Sequence, residues 1–438
     1  MSESRAAVRS AGRQLLRRGA RGVRHTVSRR WRFIGLLAIL GPGMIAANAG
    51  NDSGGIATFS FVGAELGYSL LWILIPITIS LGLVQEMCAR MGAVTGKGLA
   101  DLIRERFGVR WTALVMLALL IANAGVTVSE FVGIAAATEL LGVSRYVSVP
   151  FAAISIWWLI VKGSYQRVER VFLLMSLVFL GYIVSAFLAR PDWGEVATGL
   201  VAPSLSLEPT YIFTLVAVVG TTIAPFMQVY VQSSVVEKGV TLENYSKTRT
   251  DVWIGTIFAI LIAFFIVIST AATLHEHGIK IESAEDAARA LQPLAGNYAA
   301  KLFAIGLFGA SMLAAGVLPL ATAYSITEAL GFEKGVSHSF REAPIFLGIF
   351  TFLIAVGAAI AVVPNLPLVR VLIVTQVING VLLPVILFAV MRLVNDREIM
   401  GSQVNGPIYN LGAWLTTLAV TALSLLYIVV TIFPDLFS

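Results

Sequence analysis

Hydrophobic positions in this chain neither alternate nor recur on one helical face. They fill runs of about twenty residues or more, from near the N-terminus to the last residues. Such runs are long enough to cross a bilayer as helices, whereas a membrane β-barrel would show alternating segments of about ten residues. The pattern predicts eleven spans: 33–66, 69–89, 111–141, 146–162, 171–189, 210–236, 252–274, 300–329, 344–363, 367–391 and 411–434. Polar positions interrupt two of them. In the first, "GNDSGGIATF" (50–59) puts three glycines, an aspartate, an asparagine and a serine inside the apolar run. In the sixth, "GTTIAPFMQVYVQSS" (220–234) places Pro225 behind Gly220, Thr221 and Thr222, and proline removes a helical donor and clashes with the preceding turn.

Composition agrees with the pattern: 57% of residues are hydrophobic and only 13% are charged. The chain reads as an all-α polytopic membrane protein with no soluble catalytic domain left over. Charge then orients it. Arg90, Lys97, Arg104, Arg106 and Arg110 follow span two, Lys162, Arg167 and Arg170 follow span four, and Lys238, Lys247 and Arg249 follow span six. Basic loops stay in the cytoplasm, so the N-terminus is expected inside and the C-terminus outside a multi-pass protein of the cell membrane. Residues 1–32 form a basic cytoplasmic tail; Arg9, Arg13, Arg17, Arg21 and Arg24 can share one helix face against anionic headgroups. The tail carries one large aromatic, Trp31, at the edge of the first span and none along the rest of its length, so no nucleic-acid partner is expected. Cys88 is the single cysteine, which excludes an intramolecular disulfide. No nucleophile with its base, phosphate loop or metal cluster is present, so neither an enzyme nor a cofactor is expected. Glu86 and Arg90 are spaced as an i, i+4 pair.

Two broken spans separated by five helices are the pattern of an inverted-repeat transporter, in which discontinuous helices meet at the midplane and their free backbone groups build the substrate site. Repeats at 33–189 and 210–391, followed by an eleventh span at 411–434, are expected. Asp52 stands in the first break, and an acid at that depth is a functional candidate by default.

Several stretches share a resemblance: "GPGMIAANAGNDSGG" (41–55), "GAELGYSLLW" (63–72), "GAVTGKGLADLIRERFG" (92–108), "SEFVGIA" (129–135), "QVYVQSSVV" (228–236), "VTQVINGVLLPVILF" (374–388) and "VNDREIMG" (394–401). Together they resemble the NRAMP family of proton-coupled divalent-metal transporters. The resemblance implies a LeuT-type fold with two inverted five-helix repeats plus an eleventh helix, and broken helices one and six. It also implies which residues would serve the site, and several differ. The family's Asp-Pro-Gly-Asn reads Asp52-Ser53-Gly54-Gly55, so the asparagine ligand is replaced. Its Met-Pro-His reads Ala224-Pro225-Phe226, removing the sulfur and the first histidine. A second histidine position corresponds to Gln232, and an Asp…Glu pair reads Thr127…Glu130. Gln376 matches a glutamine that closes over the ion in the family.

These departures support two substrate readings. The leading one is a small neutral polar solute, a hexose above all, bound by Asp52, Asn48, Asn51, Thr221, Thr222, Gln228, Gln232 and Gln376 and by the face of Phe226, in space vacated at Gly55 and Ala224. The alternative is a divalent cation, Mg²⁺ or Mn²⁺, with Asp52 and Gln376 as ligands. Asp52 and Glu130 are the candidate proton carriers, and an uncoupled facilitator is the other form of either reading. The expected partners are the lipid bilayer and a small-molecule or ion substrate, and the chain is expected to act as a monomer.

Overall fold

The computed structural model describes residues 43, 46–47, 50–162, 180–289, 291–292, 296, 299–333, 335, 338–364 and 366–433. Its helices are α1 (Ser53–Leu66), α2 (Leu74–Thr95), α3 (Leu99–Leu140), α4 (Arg145–Lys162), α5 (Leu180–Leu188), α6 (Trp193–Val201), α7 (Pro209–Thr222), α8 (Pro225–Glu237), α9 (Tyr245–Thr273), α10 (Ala284–Arg289), α11 (Ala299–Leu330), α12 (Pro344–Ala361), α13 (Leu368–Val394) and α14 (Pro407–Ile432). Among the described residues, nine helical segments are long and apolar enough to cross a membrane. The first and fifth expected spans lie only partly within the described residues. The basic tail and the arginines at 167 and 170 lie outside them.

Burial sorts the helices by role. The apolar window of α7–α8 is 94% buried, whereas those of α4 and α14 are 33% and 28% buried. The interrupted pair therefore sits inside the bundle and α4 and α14 form its lipid-facing shell. Around the centre, α1 packs on α3, α7, α9, α11 and α13, while α3 packs on α11, α12 and α13.

Helix starts follow local chemistry. Pro209, Pro225, Pro344 and Pro407 each occupy the first helical turn, where the missing amide would be unpaired anyway. At Pro225 this divides the span: α7 stops at Thr222, Ile223 (φ −112°, ψ 44°) and Ala224 (φ −59°, ψ 141°) leave the helical region, and α8 begins at the proline. Glu86 and Arg90 pair at 3.5 Å, as their spacing predicts.

Two boundaries differ from expectation. The break in the first span is a short turn over residues 50–52, and Ser53, Gly54 and Gly55 are already helical. Asp52 is the reason, because its carboxylate accepts the Gly55 amide at 2.5 Å and caps the new helix. The third helix begins at Leu99, not at 111, and runs 42 residues. That is about 63 Å, roughly twice the hydrocarbon thickness. Gly108 breaks it, with φ +78° and ψ 172°, a backbone that a residue with a Cβ adopts only under strain. Residues 99–107 thus form an amphipathic helix of their own ahead of the span.

Candidate functional site

The site is built on the N-terminus of α1. Two acids converge there from different parts of the chain. Asp52 caps from within, and Glu130 of α3 accepts the Ser53 amide on Oε2 at 3.1 Å. Ser53 Oγ donates to the Ser129 carbonyl at 3.2 Å, fastening the same turn to α3. Asp52 is 2% exposed and Glu130 fully buried. Helix N-terminal amides favour negative charge, yet neither acid has a basic side chain in ion-pair contact among the described residues. Buried carboxylates without a basic partner require a proton or a bound cation to offset their desolvation.

The other side of the site is uncharged. Thr221 Oγ1 donates to the Gly50 carbonyl at 3.4 Å, bringing the end of α7 against the first break. Gln376 of α13 lies on the first turn of α1, where a Cβ on Gly54 would come within 2.0 Å of its Nε2. Its Oε1 accepts from Asn379 Nδ2 at 3.3 Å, while Nε2 is buried with no partner. An unpaired buried amide costs about 1–3 kcal/mol, so this carboxamide is left ready for a ligand, or for a flip that turns its oxygen inward; Ser311 Oγ and Asn379 Oδ1 nearby are likewise buried without a partner.

Other sequence-derived candidates have different placements. Asn51 Nδ2 donates to the Ala259 carbonyl of α9 at 2.9 Å, tying the break to its neighbour rather than offering an amide to a solute. Gln228 Nε2 reaches the Ile223 carbonyl at 3.5 Å, satisfying unwound backbone, and Gln232 Nε2 holds the Lys97 carbonyl at 2.9 Å, beyond α2. Phe226 is fully buried and Ala224 is 1% exposed. Asn48 lies outside the described residues. The vacated space expected at Gly55 is absent in this conformation: a Cβ there would stand 2.4 Å from the Gly50 carbonyl oxygen and 3.1 Å from Thr221 Oγ1. The chain's own backbone has moved into the position. A cavity of about 20 Å³ adjoins Ser53, between α1, α10, α11 and the start of α13. It has room for about one water, far less than a hexose.

Sequence reasoning missed Ser53, Ser129 and Met227. The Met227 methyl would lie 2.2 Å from a Cβ on Gly50, and its sulfur accepts from Gln85 Nε2 at 3.8 Å. The only prior signal for Ser129 was its adjacency to Glu130. A further cluster lies at the far end of α8. There Glu328 of α11 accepts from Ser233 Oγ at 2.5 Å and from the Ala100 amide at 3.3 Å. Gly98, the N-cap of α3, leaves the space this carboxylate fills: a Cβ would be 1.9 Å from Glu328 Cδ.

Comparison with known proteins gives a consistent picture. Residues 43–430 match the family model described as natural resistance-associated macrophage protein-like. A divalent metal cation transporter MntH from Ralstonia nicotianae is 29% identical over 407 residues, covering 86% of this chain and 88% of its own. Among solved structures, the Eremococcus coleocola manganese transporter superposes with a TM-score of 0.72 at 17% identity, covering 93% of this chain and 90% of its own. The transporter MhsT, in complex with L-phenylalanine, gives 0.55 at 13% identity, covering 88% and 97%. The fold is accordingly the LeuT type found in these transporters, with the broken helices at its centre.

Proposed function

Because the chain belongs to the natural resistance-associated macrophage protein family of membrane transporters, we propose that its cargo is a divalent metal cation, taken up at the junction of α1 with α7. The observation that carries this reading is the buried acid pair Asp52 and Glu130, which has no basic partner among the described residues. A dication placed beside Asp52 would offset that charge; a neutral sugar would not. The related MntH proteins are divalent metal cation transporters by name, which points the same way. The hexose reading, which the lost metal ligands favoured, is therefore set aside: the related MntH proteins are described as divalent metal cation transporters, and the room expected at Gly55 is taken by the Gly50 carbonyl.

Donor chemistry narrows the cargo. Asp52, Thr221, Gln376 once its carboxamide is turned, and the carbonyl of Gly50 offer oxygen. The position where the family has methionine is Ala224. The sulfur of Met227 already accepts from Gln85. Oxygen-rich sites suit hard ions, which favours Mg²⁺, with Mn²⁺ next, over softer transition metals.

In the transport cycle, Asp52 binds the ion directly. Glu130 holds the first turn of α1 through the Ser53 amide and is placed to exchange a proton when that turn moves. Uptake into liposomes tests the whole reading: Mg²⁺ or Mn²⁺ should enter and hexoses should not. Hexose uptake without divalent-cation uptake would overturn it. Orientation is tested independently. Cys88 is buried, so a cysteine introduced near Lys247 should report access from the cytoplasmic side, and one near Glu282 access from outside. The opposite pattern would invert the proposed topology.

A further inference from the structure

Two apolar grooves flank α3 near the break at Gly108, each with one arginine, and they differ in how that arginine is engaged. One lies between α3 and α13, has a volume of about 330 Å³, and is walled by Phe107, Trp111, Val115, Val385 and Phe388, with Arg392 at one end. The other, about 270 Å³, lies between α3 and α11 and ends at Arg104. Arg104 already donates to the Ala329 carbonyl at 3.3 Å. Arg106 is taken up by Asp396 at 2.7 Å and Glu398 at 3.3 Å. Arg392 and Arg110 are exposed and make no ion pair among the described residues.

We propose that the α3–α13 groove is a binding site for an anionic phospholipid, with one acyl chain along the aromatic wall and the phosphate held by Arg392, assisted by Arg110. The α13 wall, Val385 to Arg392, is about 10 Å of helix, and the α3 wall runs from Ile103 past the break at Gly108 to Val115. The groove therefore spans the break, with Arg392 at the end of α13 nearest the helix terminus at Val394. Trp111, 64% exposed, stands at the depth where indole rings collect at membrane interfaces. A guanidinium offers a planar fork that matches phosphate oxygens. Basic loops assign this end to the cytoplasmic leaflet, where anionic lipids concentrate. A site here would grip the hinge of α3, the helix that carries Glu130.

The test uses the full-length protein in vesicles of phosphatidylcholine with a minor component of phosphatidylglycerol. Bromine, which quenches indole fluorescence, is carried either by the phosphatidylglycerol or by an equal amount of the phosphatidylcholine. The Trp111 signal is taken as the difference between wild type and Trp111→Phe. Bromine on the anionic lipid should quench that signal more strongly, with roughly a fivefold enrichment for each arginine engaged. Arg392→Gln combined with Arg110→Gln should equalise the two quenchers. Arg392→Lys should keep part of the preference, and Arg104→Gln should leave it intact. Millimolar inorganic phosphate should not relieve the quenching. The proposal is overturned by equal quenching in the wild type, by a preference that survives the double glutamine variant, by its loss in Arg104→Gln, or by relief with free phosphate.

Discussion

The two breaks at the centre of this transporter are built by opposite means. The first is made by capping: Asp52 from within and Glu130 from α3 hold the N-terminus of α1 with carboxylate oxygens. The second is made by proline: Pro225 opens α8 and the chain before it leaves the helix at Ile223 and Ala224, with no charged side chain in either neighbouring turn. The contrast assigns the work. Under the proposed function, charge is read at α1, while α7 and α8 contribute shape, a hydroxyl and carbonyl groups. In the resemblance drawn from the sequence, the side that differs most from the family is the uncharged one. The carboxylate is kept and the sulfur and histidine are lost, which under the proposed function means a cation is still bound while the preferred hardness shifts.

The sharpest way to break this contrast is Asp52→Asn. It keeps a capping side chain but removes the charge, and should lower divalent-cation uptake by more than the roughly 10–100-fold typical of losing a group that only supports a metal ligand. Wild-type uptake in vesicles would move the site elsewhere. Glu130→Gln preserves an acceptor for the Ser53 amide, so the protein should fold and still carry metal, but metal-driven acidification of the vesicle lumen should disappear. Unchanged acidification would remove Glu130 from coupling.

On the uncharged side, effects should be smaller. Ala224→Met restores a sulfur beside the second break and should shift preference from Mg²⁺ toward softer ions by roughly tenfold, one 1.4 kcal/mol step of affinity; competition by Cd²⁺ against Mg²⁺ uptake measures it, and no shift would place Ala224 away from the ion. Gly54→Ala intrudes on Gln376, whose flexible amide end can swing aside. It should weaken uptake by only a fewfold with little change in thermal stability, and full activity would show that the carboxamide takes no part. Ser53→Ala removes one hydroxyl bond to the Ser129 carbonyl and should cost about 1 kcal/mol of stability, read as a modest drop in melting temperature, with transport retained.

Much of the architecture was legible because hydrophobic length and its interruptions are local properties. The run around Asp52 and the proline at 225 announced both breaks without any tertiary information. The start of α3 was not legible: residues 101–110 carry Asp101, Arg104, Glu105, Arg106 and Arg110, and this charge concealed an amphipathic helix ahead of the break at Gly108. Asp52 and Glu130 stood out in the sequence because an acid inside a membrane span is costly to bury, and the structure brings both to the first turn of α1. The hydrogen bonds of Asn51 and Gln228 to the carbonyls of Ala259 and Ile223 were not legible, since a buried amide looks the same in sequence whether it awaits a ligand or satisfies a neighbouring carbonyl. At Gly55, a missing side chain suggested empty volume, but backbone from five residues upstream occupied it.

Gly98 has a consequence for the rhythm of transport. Lacking a side chain, it cannot cap α3 itself, and Glu328 does so from a different helix while also holding Ser233. The first turn of α3 is therefore held in part from α11, which also holds α8 through Ser233. Under the proposed transport cycle, an opening at that end would release a helix terminus, so that a local helix–coil equilibrium over 99–103 would enter the barrier to opening, far from the proposed substrate site.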